Sequence, residues 1–155
     1  MNANEFIPLL GQTSEDAAVK KFLASSGISK RPKLKSGDVT AYLVNEKAGM
    51  DVTFRDERHL KVKSREYDEG SLVVSNISLY GEGDSSYKKF AGELPLGMTF
   101  DLGRKEVQAK LGKKPNWESK DPVSARWDFK GYCLFIDFEK NGKRMKNLAI
   151  QLPVG

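Results

Sequence analysis

Chemistry in this chain of 155 residues would have to pass through very few groups. It has one histidine, His59, and one cysteine, Cys133. A four-coordinate zinc site draws on clustered Cys and His, and two such residues cannot supply one. An internal disulfide needs a second cysteine. General-base catalysis by imidazole would run through His59 alone. That residue ends the run Arg55-Asp56-Glu57-Arg58-His59, with no nucleophile or orienting acid set beside it by spacing, so it reads as a surface histidine. Cys133 has no neighbouring His or basic pair to lower its pKa. Asp56/Glu57 and Asp68/Glu69 are adjacent pairs. Neighbours on a strand point to opposite faces, so they read as solvated turns rather than an acid/base dyad. Gly81-Glu82-Gly83-Asp84-Ser85-Ser86 hints at a phosphate loop but lacks the third Gly and the Lys of such motifs. It reads as a linker or hairpin tip. No catalytic residue, metal ligand or cofactor is nominated, and the expectation is a protein that is not an enzyme.

What remains is binding chemistry. The formal net charge is +5 and the sequence pI is about 9.2. Ser29-Lys30-Arg31-Pro32-Lys33-Leu34-Lys35 is the densest basic run. Lys61, Lys63 and Arg65 share a parity, and Lys143, Arg144 and Lys146 follow Asn141-Gly142. Such clusters can contact phosphates. Acids are interleaved at Glu57, Glu66, Asp68 and Glu69, and no aromatic nucleic-acid motif accompanies them. An acidic patch on a protein partner is therefore the first expectation, and a nucleic-acid-associated domain is the alternative. Trp and Tyr often anchor interfaces. Trp117 lies in a Pro/Asn/Ser-rich stretch, and Tyr42 and Phe135 alternate away from apolar neighbours. The candidate partner contacts are thus Lys30, Arg31, Lys33, Tyr42, Trp117 and Phe135, with Trp127 assigned to the core.

Periodicity supplies the elements that must position these residues. Thr13-Ser14-Glu15-Asp16 reads as a helix start, followed by Val19, Phe22 and Leu23 on one face and a stop at Gly27. Strands are expected at Val39–Val44 and Met50–Arg55, joined by a hairpin loop, and again at Leu72–Tyr80. Leu60 and Val62 alternate with Lys61, Lys63 and Arg65, which suggests a further strand or edge. A short helix opens at Asp101 or Gly103, carries Val107 and Leu111, and ends at Gly112. Arg126–Phe129, Tyr132–Phe138 and Leu148–Leu152 read as strands, with Asn141-Gly142 signalling a two-residue hairpin.

The same order, helix then antiparallel strands, occurs in each half. One helix on three strands buries little surface, and two such units sharing a sheet remove two edges. The expected fold is α+β: two helix–β-strand repeats forming one curved antiparallel sheet, with helices packed on one face. Residues 1–80 would be the first repeat, 81–91 a linker and 92–155 the second, together one compact unit. No apolar run approaches the ~20 residues of a membrane span. Phe6–Leu10 is short, contains Pro8 and follows no basic segment, so it does not read as a signal sequence. A cytoplasmic location, with no membrane partner, is the expectation.

Particular motifs add a family resemblance. Gly92-Glu93-Leu94-Pro95-Leu96-Gly97-Met98-Thr99-Phe100 precedes Arg104-Lys105-Glu106-Val107 and Lys110-Leu111-Gly112-Lys113-Lys114-Pro115. Trp127 and the strands around Asn141-Gly142 follow. This stretch, about residues 92–152, resembles the repeat of the β-lactamase inhibitory protein and of the small outer-membrane-assembly lipoproteins. It also looks like the small cytoplasmic immunity proteins of bacterial toxin systems. The first two groups carry disulfides or a lipidated leader cysteine. With one Cys and no recognised leader, the chain is closest in character to the immunity proteins. The resemblance implies a toxin inhibitor acting by direct binding.

Overall fold

Alternating apolar residues build most of this molecule. A computed structural model describes residues 1–120 and 123–154. Its strands are β1 (Thr40–Asn45), β2 (Met50–Asp56), β3 (Leu72–Tyr80), β4 (Trp117–Glu118), β5 (Ser124–Phe129), β6 (Tyr132–Phe138) and β7 (Met145–Gln151). They form one seven-stranded sheet in the order β1-β2-β3-β7-β6-β5-β4. Every adjacent pair is antiparallel. With helices α1 (Ala17–Ser25) and α2 (Arg104–Leu111), the chain is α+β with a single antiparallel sheet, as its periodicity predicts.

One face of the sheet is the core. Val52, Phe54, Ile77, Leu79, Leu134, Ile136, Leu148, Ile150 and Trp127 are inaccessible to solvent. Phe6 and Leu9, from a 3-10 segment at Ala3–Leu9, join the same apolar cluster. So do Val19, Phe22 and Leu23 of α1 and Val107 of α2. Leaving one such side chain in water costs roughly 1.5–3 kcal/mol, so this cluster fixes which face turns inward. Asp16 caps α1 and accepts the Thr13 N–H at 2.8 Å. At α2 the Glu106 carboxylate accepts the Gly103 N–H at 3.1 Å. Gly112 closes α2 in the left-handed region at φ 70°, where a Cβ would be strained. The Trp127 indole N–H then donates to the Lys113 carbonyl at 3.1 Å, locking the turn after α2 onto β5.

Several expectations need correction. Leu60–Arg65 forms no strand. A 3-10 turn at Glu57–His59 ends β2, and the Leu60 N–H closes that turn on the Glu57 carbonyl. Only two apolar residues alternate here, and Val62 stays 43% exposed, so nothing draws the segment into the sheet. Asp56 and Glu57 are buried, not solvated. Asp56 is held by Arg58 at 2.6 Å and Glu57 by Lys63 at 3.1 Å. The Asn141-Gly142 connection is longer than two residues: the Glu139 N–H meets the Arg144 carbonyl, and the Gly142 N–H meets the Glu139 carbonyl. The register shifts there too, so that Phe138 faces Met145. Sequence reading also missed the short strand β4. The 81–91 stretch is tied down at both ends. Phe90 enters the core, and the Tyr87 hydroxyl donates to Asp51 at 3.0 Å.

Candidate functional site: the open sheet face

Paired residues across an antiparallel ladder share a face, so the register defines the side of the sheet away from the core. One row runs Tyr42, Thr53, Asn76, Gln151, Cys133, Asp128. A second row starts at Val44, Asp51 and Ser78. It continues through Ala149 and Phe135 to Arg126 and Trp117. Both rows cross the sheet, and their mixed polar and apolar character contrasts with the mainly apolar inner face.

Three candidate contacts from the sequence share this face. Tyr42 is 64% exposed at the β1 edge, and Val44 beside it is 50% exposed. At the opposite edge the Trp117 and Phe135 rings stack, with centroids 5.7 Å apart and an interplanar angle of 25°. Trp117 reaches from β4 across β5 to do this, over Arg126, whose guanidinium is pinned to Asp128 at 2.8 Å. The basic trio Lys30, Arg31 and Lys33 is exposed on the loop after α1. Lys30 and Arg31 line a cleft whose other wall includes Lys20, Leu23 and Ala24 of α1. The structure therefore groups Tyr42, Trp117 and Phe135 on one surface and sets the trio beside the helix instead.

The open face has two rims. At one end Asp51 accepts hydrogen bonds from Tyr80 at 2.6 Å and Tyr87 at 3.0 Å, and those two rings stack at 3.7 Å. Asp84 accepts from Asn147 at 2.8 Å. Burial first, and then the Asp51 carboxylate, push Tyr87 up to about 12 and Tyr80 higher still. Both phenols stay protonated at neutral pH and serve as fixed donors. At the other end, His59–Val62 and the C-terminal residues Leu152–Val154 border the face.

Cys133 is buried, with its thiol near the Leu152 carbonyl at 3.6 Å and the Gln151 amide oxygen at 3.8 Å. Burial, helped by Asp128, pushes its pKa to about 11, so the thiolate is scarce at pH 7. His59 is exposed at the end of its turn. Among the described residues, no group of three or more His, Cys, Asp or Glu could hold a metal ion. Among the same residues, no helix is long and apolar enough to cross a membrane. Sequence reading overlooked the Arg55, His59, Lys61 and Asn76 neighbourhood. The alternation of β2 did place Arg55 on the face of Thr53, but which strand lay beside it was not legible locally.

No protein-family model matches the chain, and no curated protein matches it. The chain is similar to the crystal structure of a DUF4309 family protein, YjgB, from Bacillus subtilis. The TM-score is 0.47 and the sequence identity 14%, over 97% of each chain. Neither finding links the chain to the β-lactamase inhibitory protein or to immunity proteins.

Proposed function

We propose that this chain is a non-enzymatic binding module. In this reading it is a bacterial immunity or inhibitor protein that neutralises a toxin domain by direct contact, in the cytoplasm of the cell that makes it. The observation that carries the reading is the open sheet face, with Tyr42 and Val44 exposed at one edge and the Trp117–Phe135 stack at the other. Rigid aromatics on a sheet suit interface anchors, because little side-chain entropy is lost when they dock. The basic excess suits an acidic partner and speeds encounter. The resemblance of residues 92–152 supports the inhibitor class.

The sheet is read further as two fused units, residues 1–80 and 92–155, joined by 81–91. The strand order supports this. The first unit contributes a helix and three successive strands, the second a helix and four, β4 to β7, and the last strands of each, β3 and β7, pair next to one another. Co-expression with the product of an adjacent toxin-bearing reading frame tests the function. Restored growth is expected. Absence of rescue, together with nucleic-acid binding that weakens steeply with salt, would replace this reading with the nucleic-acid alternative.

A further inference from the structure

A groove of about 300 Å³ lies at the rim of the open face, between the sheet and the segments around His59–Val62 and Leu152–Val154. Its sheet side offers Thr53, Asn76 and Gln151, and its basic groups are Arg55, His59 and Lys61. No Asp or Glu lines it. None of these three basic groups forms an ion pair within the described residues, and the acids next in sequence, Asp56 and Glu57, are already held by Arg58 and Lys63. The groove therefore carries uncompensated positive charge on a face otherwise rich in internal pairs.

Two further observations define what would fill it. Asn76 spends its amide N–H on the Ser78 hydroxyl at 2.8 Å, while its Oδ1 is buried with no partner. A buried acceptor left unmade is costly and rare. Val62 and Val154, 43% and 47% exposed, add apolar surface to the same lining.

We propose that this groove takes an extended, acidic segment of the partner protein. The inference rests on the protein-binding reading above and names the partner's chemistry at that face. Carboxylates meet Arg55, His59 and Lys61. A small turn of the Asn76 amide gives its oxygen to a main-chain N–H, and aliphatic side chains cover the two valines. A phosphate backbone brings no N–H for Asn76, and no Phe, Tyr or Trp lines the groove to stack a base.

The test uses the full chain and a fluorescein-labelled, N-acetylated peptide of alternating Glu and Val, read by fluorescence anisotropy at low salt. Saturable binding is expected, weakened about tenfold by Lys61→Gln and further by Arg55→Gln/Lys61→Gln. Lys130→Gln/Lys140→Gln, at two exposed positions outside the groove, leaves it unchanged. A Gln–Val peptide binds at least about tenfold more weakly, and N-methylation of the peptide backbone weakens binding as well. Urea unfolding of each variant checks that it remains folded. The proposal is overturned by peptide affinity indifferent to Lys61→Gln, by no saturable binding, or by a single-stranded oligonucleotide binding more tightly through the same residues. Full protection from the toxin by the Arg55→Gln/Lys61→Gln variant would remove the groove and leave the binding function standing. Peptide binding without protection by the native chain would do the reverse.

Discussion

Asp56 offers a sharp test of how the groove wall is held. Its carboxylate takes the Arg58 guanidinium through Nε at 3.1 Å and Nη2 at 2.6 Å, and the Arg58 backbone N–H at 3.0 Å. These bonds brace the turn that carries His59. The Arg58 side-chain and backbone hydrogen bonds, against the opposing cost of burial, hold the pKa at about 2 instead of the ordinary 3.8. Taken whole, that difference is worth about 2.4 kcal/mol. Arg58 is 59% exposed, and solvent screening brings the expected contribution to about 1–2 kcal/mol. Because the folded-state pKa is depressed, the stabilisation is complete above about pH 4 and is lost as pH falls from 3.8 towards 2. Asp56→Asn keeps an acceptor for the backbone N–H but removes the charge. Urea unfolding of both proteins from pH 7 down to pH 2 should therefore show a gap of about 1–2 kcal/mol that closes across that window. A gap independent of pH, or no gap at neutral pH, would show that the Asp56 charge does not stabilise the fold through Arg58.

Other consequences follow from packing and burial. Trp127→Ala removes a side chain inaccessible to solvent and leaves the Lys113 carbonyl without its indole donor, so denaturant unfolding should show a loss of about 3–5 kcal/mol. Gly49→Ala should lower the melting temperature markedly. Its φ is 70°, and a Cβ would stand 2.1 Å from the Lys88 carbonyl oxygen. Gly131→Ala meets open space at φ 85° and should cost only the backbone strain, about 1 kcal/mol. The Cys133 thiol should react with a disulfide reagent at pH 7 far more slowly in the folded chain than in urea, and equal rates would contradict its burial.

The strands were legible where local alternation and global packing agree. Met50, Val52 and Phe54 alternate with Asp51, Thr53 and Arg55, and the first three are the buried ones. Trp127 was legible as core because it sits mid-strand among apolar partners. Leu60 and Val62 mimicked that pattern, but two residues bury too little to offset the ordering of a strand. The burial of Asp56 and Glu57 was hidden because Arg58, Lys63 and the Ser71 carbonyl satisfy it, and the last of these lies beyond a long loop. Likewise, the exposure of Trp117 and Tyr42 could be anticipated residue by residue. The stack of Trp117 on Phe135 could not, since it depends on the order β4-β5-β6. Where the basic run at Lys30–Lys35 lies relative to the open face was not legible either, since sequence carries no information about which side of the sheet a loop follows.

We propose that a protein partner binds the open face. Isothermal titration against the purified product of the adjacent reading frame measures it most directly, with the native chain compared to Tyr42→Ala/Trp117→Ala. Both substitutions lie at exposed positions, so unfolding should change little. Saturable binding is expected of the native chain, with an affinity at least about 100-fold lower for the double variant. Equal affinities for the two proteins, or no binding by either, would contradict it.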